Sequence, residues 1–265
     1  MIIIVINFKE ELYMSTVSLE EKIDKLLKLY KKQEAVTAVQ NLISKMAYYY
    51  EAGMYEERYQ CMALKTPGVS IEVGIRGGFD TPESIHYTMV ETEKAFEKSH
   101  AEGMRKEFPD IEFTHDRQGF LETTLLGTPM IEVADDCETV KGCWSALMAV
   151  GKGYAHEPHP TARWVWWKYA ADFIKEDGEW KVWHMQQSPL WTSEYNESWV
   201  EASLKMPPLA PPGTVMQGHG PGGMPWPKPD RPTSELYNSY RITTVPKLIP
   251  KLPEPYSTFD ETFSY

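Results

Sequence analysis

The run RWVWWKYAADFIKEDGEWKVWHMQQ, residues 163–187, constrains the fold more than any other part of the chain. Two aromatic-rich segments flank Asp177-Gly178, a pair that supplies the positive backbone angles of a tight turn. The run predicts a β-hairpin. Side chains alternate across a strand. With Lys168 and Lys181 pointing to water, Trp167, Tyr169, Ala171 and Phe173 take the opposite face of the first strand. The same rule groups Trp180, Val182, His184 and Gln186 on the second. A face of aromatics with one histidine and one glutamine reads as a pocket wall, apolar with a few placed polar groups. Trp144, Trp167, Tyr169 and His184 are therefore expected to line one cavity.

Around the hairpin, further strands are expected at about 119–134, 138–152, 161–176 and 179–191, turning at Asp135-Asp136 and at the HEPHP loop, 156–160. The first part of the chain is helical. Ser18-Leu-Glu-Glu21 is a capping box that opens a helix carrying Leu19, Ile23, Leu26, Leu27 and Tyr30. A second helical pattern, from Val36 to Tyr50, stops at Gly53. A short helix from Tyr55, a strand through Val69, Ile71 and Val73, and a helix over 81–106 follow. Helices segregated from an antiparallel set of strands mean α+β, not a doubly wound α/β sheet.

Composition narrows the function classes. A formal net charge of -11 with no basic run excludes nucleic acid as the main partner and argues against an anionic membrane surface. Residues 1–8 are too short to span a bilayer and lack the marks of a signal peptide. Met14 is an alternative start, which makes residues 1–17 a tail. Cys61, Cys137 and Cys143, odd in number and without CxxC spacing, suggest neither a disulfide frame nor a zinc site, and a cytoplasmic location is the natural reading. His156 and His159 have ligand-like spacing but lack a third convergent ligand, so no metal is expected. No dinucleotide, P-loop or nucleophile-elbow motif is present, and no cofactor is expected. Prolines and glycines crowd residues 206–232, yet Trp199, Trp226, Tyr237, Tyr240, Tyr256, Phe259 and Phe263 are spread through 199–265. That segment reads as an extended arm that packs on the body, residues 18–198, or on a partner subunit.

Four phrases resemble the SnoaL-like (polyketide cyclase-like) branch of the nuclear transport factor two-like superfamily. They are AYYYEAGMYEERYQCMA at 47–63, GVSIEVG at 68–74, LLGTPMIEVADDCETVKGCW at 125–144 and YAADFIKEDGEWKVWHMQ at 169–186. The resemblance covers about residues 34–198 and implies a cone, a curved sheet wrapped around helices and a pocket. It implies cofactor-free acid–base chemistry by an inward histidine and carboxylate, in a homodimer formed through the open face of the sheet. Tyr50-Glu51 falls where dehydratases of this fold carry a Tyr-Asp pair. Thr124 stands where the family often has a pocket histidine, with Glu122 on the same face.

The expected catalytic group is Glu51, His184 and Tyr50. Tyr48, Tyr55, Arg58, His115, Glu122, Thr124, Trp144, Trp167, Tyr169 and Gln186 are the expected substrate contacts. Each has a plainer reading: His184 as a satisfied core residue, Glu51 as a solvated helix end, and Tyr55 and Arg58 as an exposed pair. The implied function is a lyase, isomerase or cyclase acting on an aromatic or polyketide-like molecule. The alternatives are a non-catalytic binder or a protein-interaction module. Two inward titratable groups within hydrogen-bond reach would favour the enzyme.

Overall fold

A computed structural model describes residues 18–157, 159–206, 226–234 and 239–265. Met14, residues 207–225 of the proline- and glycine-rich stretch, and Tyr237, on which the sequence raises expectations, lie outside the described residues. Helix α1, Leu19–Glu51, opens on the capping box: Ser18 Oγ accepts from the Glu21 amide and Glu21 reaches back to the Ser18 amide. The two expected helical patterns form this one helix. Its second half packs Val39, Ile43 and Met46 into the core at helical spacing, whereas Leu26 and Tyr30 of the first half are about two-thirds exposed, 65% and 66%. Helix α2, Tyr55–Tyr59, is followed by strands β1, Ser70–Val73, and β2, Gly78–Phe79. Gly77, at φ 105°, makes the turn between them, so the expected break is a tight reversal. Helices α3, Pro82–His86, and α4, Thr92–Glu107, are joined by a π-helical turn at Tyr87–Glu91.

The long strands are β3, Leu121–Val133, β4, Thr139–Lys152, β5, Thr161–Glu176, and β6, Glu179–Glu194. Asp177 and Gly178 both take positive φ, 53° and 82°, as the Asp-Gly reading requires. The sheet order is β2-β1-β6-β5-β4-β3, with β1 parallel to β6 and the other pairs antiparallel. The result is an α+β cone, a curved sheet wrapped around the helices. Inward parity on β4 belongs to Trp144, Ala146, Met148, Val150 and Lys152, and on β5 to Arg163, Val165, Trp167, Tyr169, Ala171 and Phe173.

Strand β6 breaks the simple alternation. Phe173 pairs with Val182, but Asp172 pairs with His184, so Trp183 is an extra residue in a β-bulge. A bulge reverses the parity beyond it, here as far as a second bulge at Leu190. Val182 faces inward as expected. His184 and Gln186 face outward, and Met185 and Gln187 take the inward places.

Residues of the arm cover part of the outer face, around His184, Asp172 and Glu72. The Phe259 ring lies 5.1 Å from that of Trp183 and 5.8 Å from that of His184. The Ser264 amide donates to Asp172 Oδ2 at 3.0 Å. Arg231 forms an ion pair with buried Glu72, whose carboxylate also accepts from the Ser234 amide at 3.0 Å. The arm also begins with an element that composition hides. Ser198 and Glu201 form a capping box that opens the short helix α5, Trp199–Lys205.

Removing residues 256–265 strips the Phe259 ring and the Ser264 amide donor from the buried His184–Asp172 pair, and the half-buried Tyr256 ring from Thr139. Each half-buried ring is worth about 1 kcal/mol or more, and each kcal/mol about 2–4 °C in a chain of this size. The truncated protein is expected to melt roughly 5–10 °C lower in a thermal scan; an unchanged Tm would refute a stabilising role for the arm.

Candidate functional site

A cavity of about 320 Å³ lies between the helices and the inner face of the sheet. Helix α1 contributes Ile43, Met46 and Tyr50, α2 contributes Arg58, and α4 contributes Glu93 and Phe96. Opposite them stand Glu122 and Thr124 from β3, Met148 and Lys152 from β4, Trp167 and Tyr169 from β5, and Gln187 from β6. Trp226 of the arm and Tyr154 complete the wall.

The polar groups are concentrated. Lys152 Nζ donates to Glu122 Oε1 at 2.5 Å, and both residues are buried. Glu122 Oε2 is buried with no protein partner among the described residues. Tyr50 Oη donates to Glu93 Oε2 at 3.2 Å. Burial holds the Glu93 carboxyl above its ordinary value of 4.5; the nearby Glu122 raises it further, and Arg76, Arg58 and Lys152 only oppose the rise. Burial likewise pushes the Tyr50 and Tyr154 hydroxyls up, helped by Glu122 and Glu93, and Tyr169 is pushed up to about 12. These phenols are proton donors at any working pH. The two carboxyls thus differ: Glu122 is held in an ion pair, and the Glu93 carboxyl is raised by burial.

Among the expected site residues, the cavity gathers Tyr50, Arg58, Glu122, Thr124, Trp167 and Tyr169. It does not gather the rest. His184 is fully buried on the other face of the sheet, its Nδ1 2.8 Å from Asp172 Oδ2 and its ring 4.2 Å from that of Trp183. The bulge at Trp183 put it there, and it put Gln187 in the place expected for Gln186. Glu51 is exposed and accepts from Thr123 Oγ1 at 2.8 Å; with Tyr48 it lines a separate surface hollow. The helix turns about 100° per residue, so of residues 48–51 only Tyr50 lines the cavity. Tyr55 is buried beside the cavity, donating to Glu97 at 2.7 Å and accepting from Arg117 at 2.8 Å. His115 is exposed in a loop and accepts from the Arg117 amide. Trp144 faces inward but fills the core: its ring covers Gly142 and meets Phe173 edge-on at 5.9 Å. The small neighbour makes room for the tryptophan itself, not for a ligand.

Lys152 and Glu93 were not expected. Both carry a signal in hindsight. Lys152 continues the inward parity of Trp144, Ala146, Met148 and Val150. Glu93 lies four residues after Met89 and three before Phe96, within a buried helical stripe. Trp226 has no such signal. Among the described residues, the side chains grouped closely enough for a metal are Glu56, His86 and Glu91, at the surface, where Glu56 is already paired with Lys94.

Residues 32–186 match the SnoaL-like domain family, more than half of the chain. The chain belongs to this family. Solved structures similar to it include the hexachlorocyclohexane dehydrochlorinase LinA-type3 of Novosphingobium barchaimii LL02, at 11% identity and TM-score 0.46, covering 63% of this chain and 93% of that one. A candidate scytalone dehydratase of Novosphingobium aromaticivorans is similar at 12% identity and TM-score 0.40, covering 62% and 89%. A nuclear transport factor 2-like protein of Salmonella enterica is similar at 11% identity and TM-score 0.41, covering 59% and 91%. No curated protein matches the chain. No described helix is long and apolar enough to cross a membrane.

The raised carboxyl gives a stability test. A group whose folded pKa is raised contributes stability below its unfolded value, and that stability is lost as pH rises through the folded value. Glu93→Gln removes this loss. The Tm of the variant relative to the native chain is therefore expected to rise as pH increases above about 4.5. A pH-independent difference in calorimetry would mean that Glu93 titrates normally.

Proposed function

We propose that the cavity is the active site of a cofactor-free acid–base enzyme, a lyase, isomerase or cyclase acting on an aromatic or polyketide-like carbonyl compound. The observation that carries this reading is the meeting of Glu122–Lys152 and Glu93–Tyr50 in one aromatic-walled cavity. Pairs of carboxyls driven apart by their surroundings are how one site holds a base and an acid at the same pH. Glu122 is the base. Its open Oε2 takes a proton from the carbon beside the carbonyl, while Lys152 fixes Oε1 and its charge offsets the enolate that forms. Glu93, protonated, is the acid. It gives its proton to a departing oxygen as the enolate electrons form the new double bond. Tyr50 orients Glu93 through their hydrogen bond. Trp167 and Tyr169 present flat surfaces to a ring. This pair takes the roles that the sequence suggested for Glu51 and His184.

The same reading has the protein acting as a homodimer in a reducing cytoplasm. Exposed Leu26, Leu27 and Tyr30 on the first half of α1 supply apolar surface suited to a second copy, and three free buried cysteines suit that compartment.

A β-hydroxy ketone such as 3-hydroxy-1-tetralone tests the chemistry. Loss of water is followed by absorbance, and exchange of its α-hydrogens in deuterium oxide by NMR. Glu122→Gln is expected to slow both by about 10²–10⁴. Glu93→Gln is expected to slow elimination by a similar factor and leave exchange largely intact. Elimination should also fall as pH rises through the raised Glu93 value, because the proton donor is lost. Full rates in both variants would reject the assignment.

A further inference from the structure

Four cationic side chains line the cavity: Arg58, Arg76, Lys152 and Arg163. Two are neutralised within the protein. Lys152 is paired with Glu122, and Arg163 with Glu157 at 2.5 Å and Glu194 at 3.0 Å. The other two are not. Among the described residues, neither the Arg58 nor the Arg76 side chain joins an ion pair or a hydrogen bond. Each is held by ring faces instead. The Arg58 guanidinium carbon lies 4.7 Å from the centroid of Tyr50, and that of Arg76 lies 4.4 Å from Trp226 and 5.7 Å from Phe96. Stacking occupies the face of a guanidinium and leaves its in-plane N–H fork free. Both arginines act on Glu93, opposing the rise that burial causes in its carboxyl, but neither is hydrogen-bonded to it. The cavity therefore presents two half-buried guanidinium groups with no acid paired to them among the described residues, in a chain whose formal net charge is -11. Two unpaired guanidinium groups lining one cavity suit an anion.

We propose that Arg58 and Arg76 form the subsite for a carboxylate borne by the aromatic substrate. The proposal rests on the reading of the cavity as the active site, and it names the class of molecule: a planar aryl ketone that carries an acid group. The planar fork of arginine matches a carboxylate in a bidentate way, while Phe96, Trp167 and Tyr169 suit the ring. Holding the acid on the arginines would leave the rest of the molecule to Glu122 of β3 and Glu93 of α4, which line the same cavity.

The full-length protein, titrated calorimetrically with 2-naphthoate and with 2-naphthamide, tests this. The two probes share shape and differ in charge. The carboxylate is expected to bind about tenfold more tightly or better. Arg58→Gln and Arg76→Gln should each weaken naphthoate by about tenfold and change naphthamide by less than about twofold. Equal affinity for the two probes, no binding of naphthoate, or equal weakening of both probes in the arginine variants would overturn the proposal. The binding readout also separates it from the acid–base reading. Charge-selective binding with full elimination rates in the Glu93 and Glu122 variants would sink the chemistry and leave the subsite standing. Loss of elimination with no preference for naphthoate would do the reverse.

Discussion

Lys152 and Glu122 meet inside the cone at the end of two paired strands, where water is largely excluded. Removing ions from water costs several kcal/mol each, and their attraction repays this only with good geometry. Here one carboxylate oxygen has the ammonium and the other has no hydrogen-bond partner among the described residues. An apolar pair of the same volume would hold β3 to β4 at least as well. The pair sets the electrostatics of the whole cavity. Burial raises the Glu93 carboxyl and the surrounding phenols above their ordinary values, and the Glu122 carboxylate adds to the rise in each. One buried ion pair thus acts on most of the polar wall.

The two faces of the sheet divide the titratable groups between them. Inside stand Glu122, Lys152 and Glu93. Outside, beneath the arm, stand His184, Asp172 and Glu72, each fully buried and each with partners. The outer set has the look of catalytic machinery, a histidine held by an aspartate. Its surroundings are those of a structural joint: aromatic rings, a backbone amide and an ion pair from the arm. The residues that give a site its chemical character in this chain are thus split by function. One set faces a cavity. The other fastens the C-terminal segment to the body.

Much of the fold is legible in the sequence because the strands are long and their turn chemistry is explicit. Asp177-Gly178 fixes the hairpin, and the period of β4 and β5 marks their inward faces through to Lys152 and Arg163. The candidate site is less legible, for two physical reasons. A β-bulge leaves no mark in composition: Trp183 is as good a strand residue as its neighbours, and inserting it turns His184 from a wall residue into a covered one. Cavities are also completed by elements distant in sequence. Glu93 comes from α4, and Trp226 from a segment whose prolines and glycines announce only irregularity. Tyr50, Arg58, Glu122 and Thr124 reached the cavity as expected because α1, α2 and β3 keep a regular period up to those positions. Glu51 missed it by a single helical step.

Trp226 is both a wall of the cavity and a part of the arm. Binding equilibria that share a residue are thermodynamically linked, and the linkage is reciprocal. A molecule that rests against Trp226 finds that surface only while the arm is docked, so filling the cavity tightens the arm by the same factor that docking adds to affinity. Arg231, five residues along the same stretch, grips Glu72 on the far side of the sheet, and that ion pair belongs to the balance. Occupancy inside the cone and attachment outside it are, to that extent, one equilibrium.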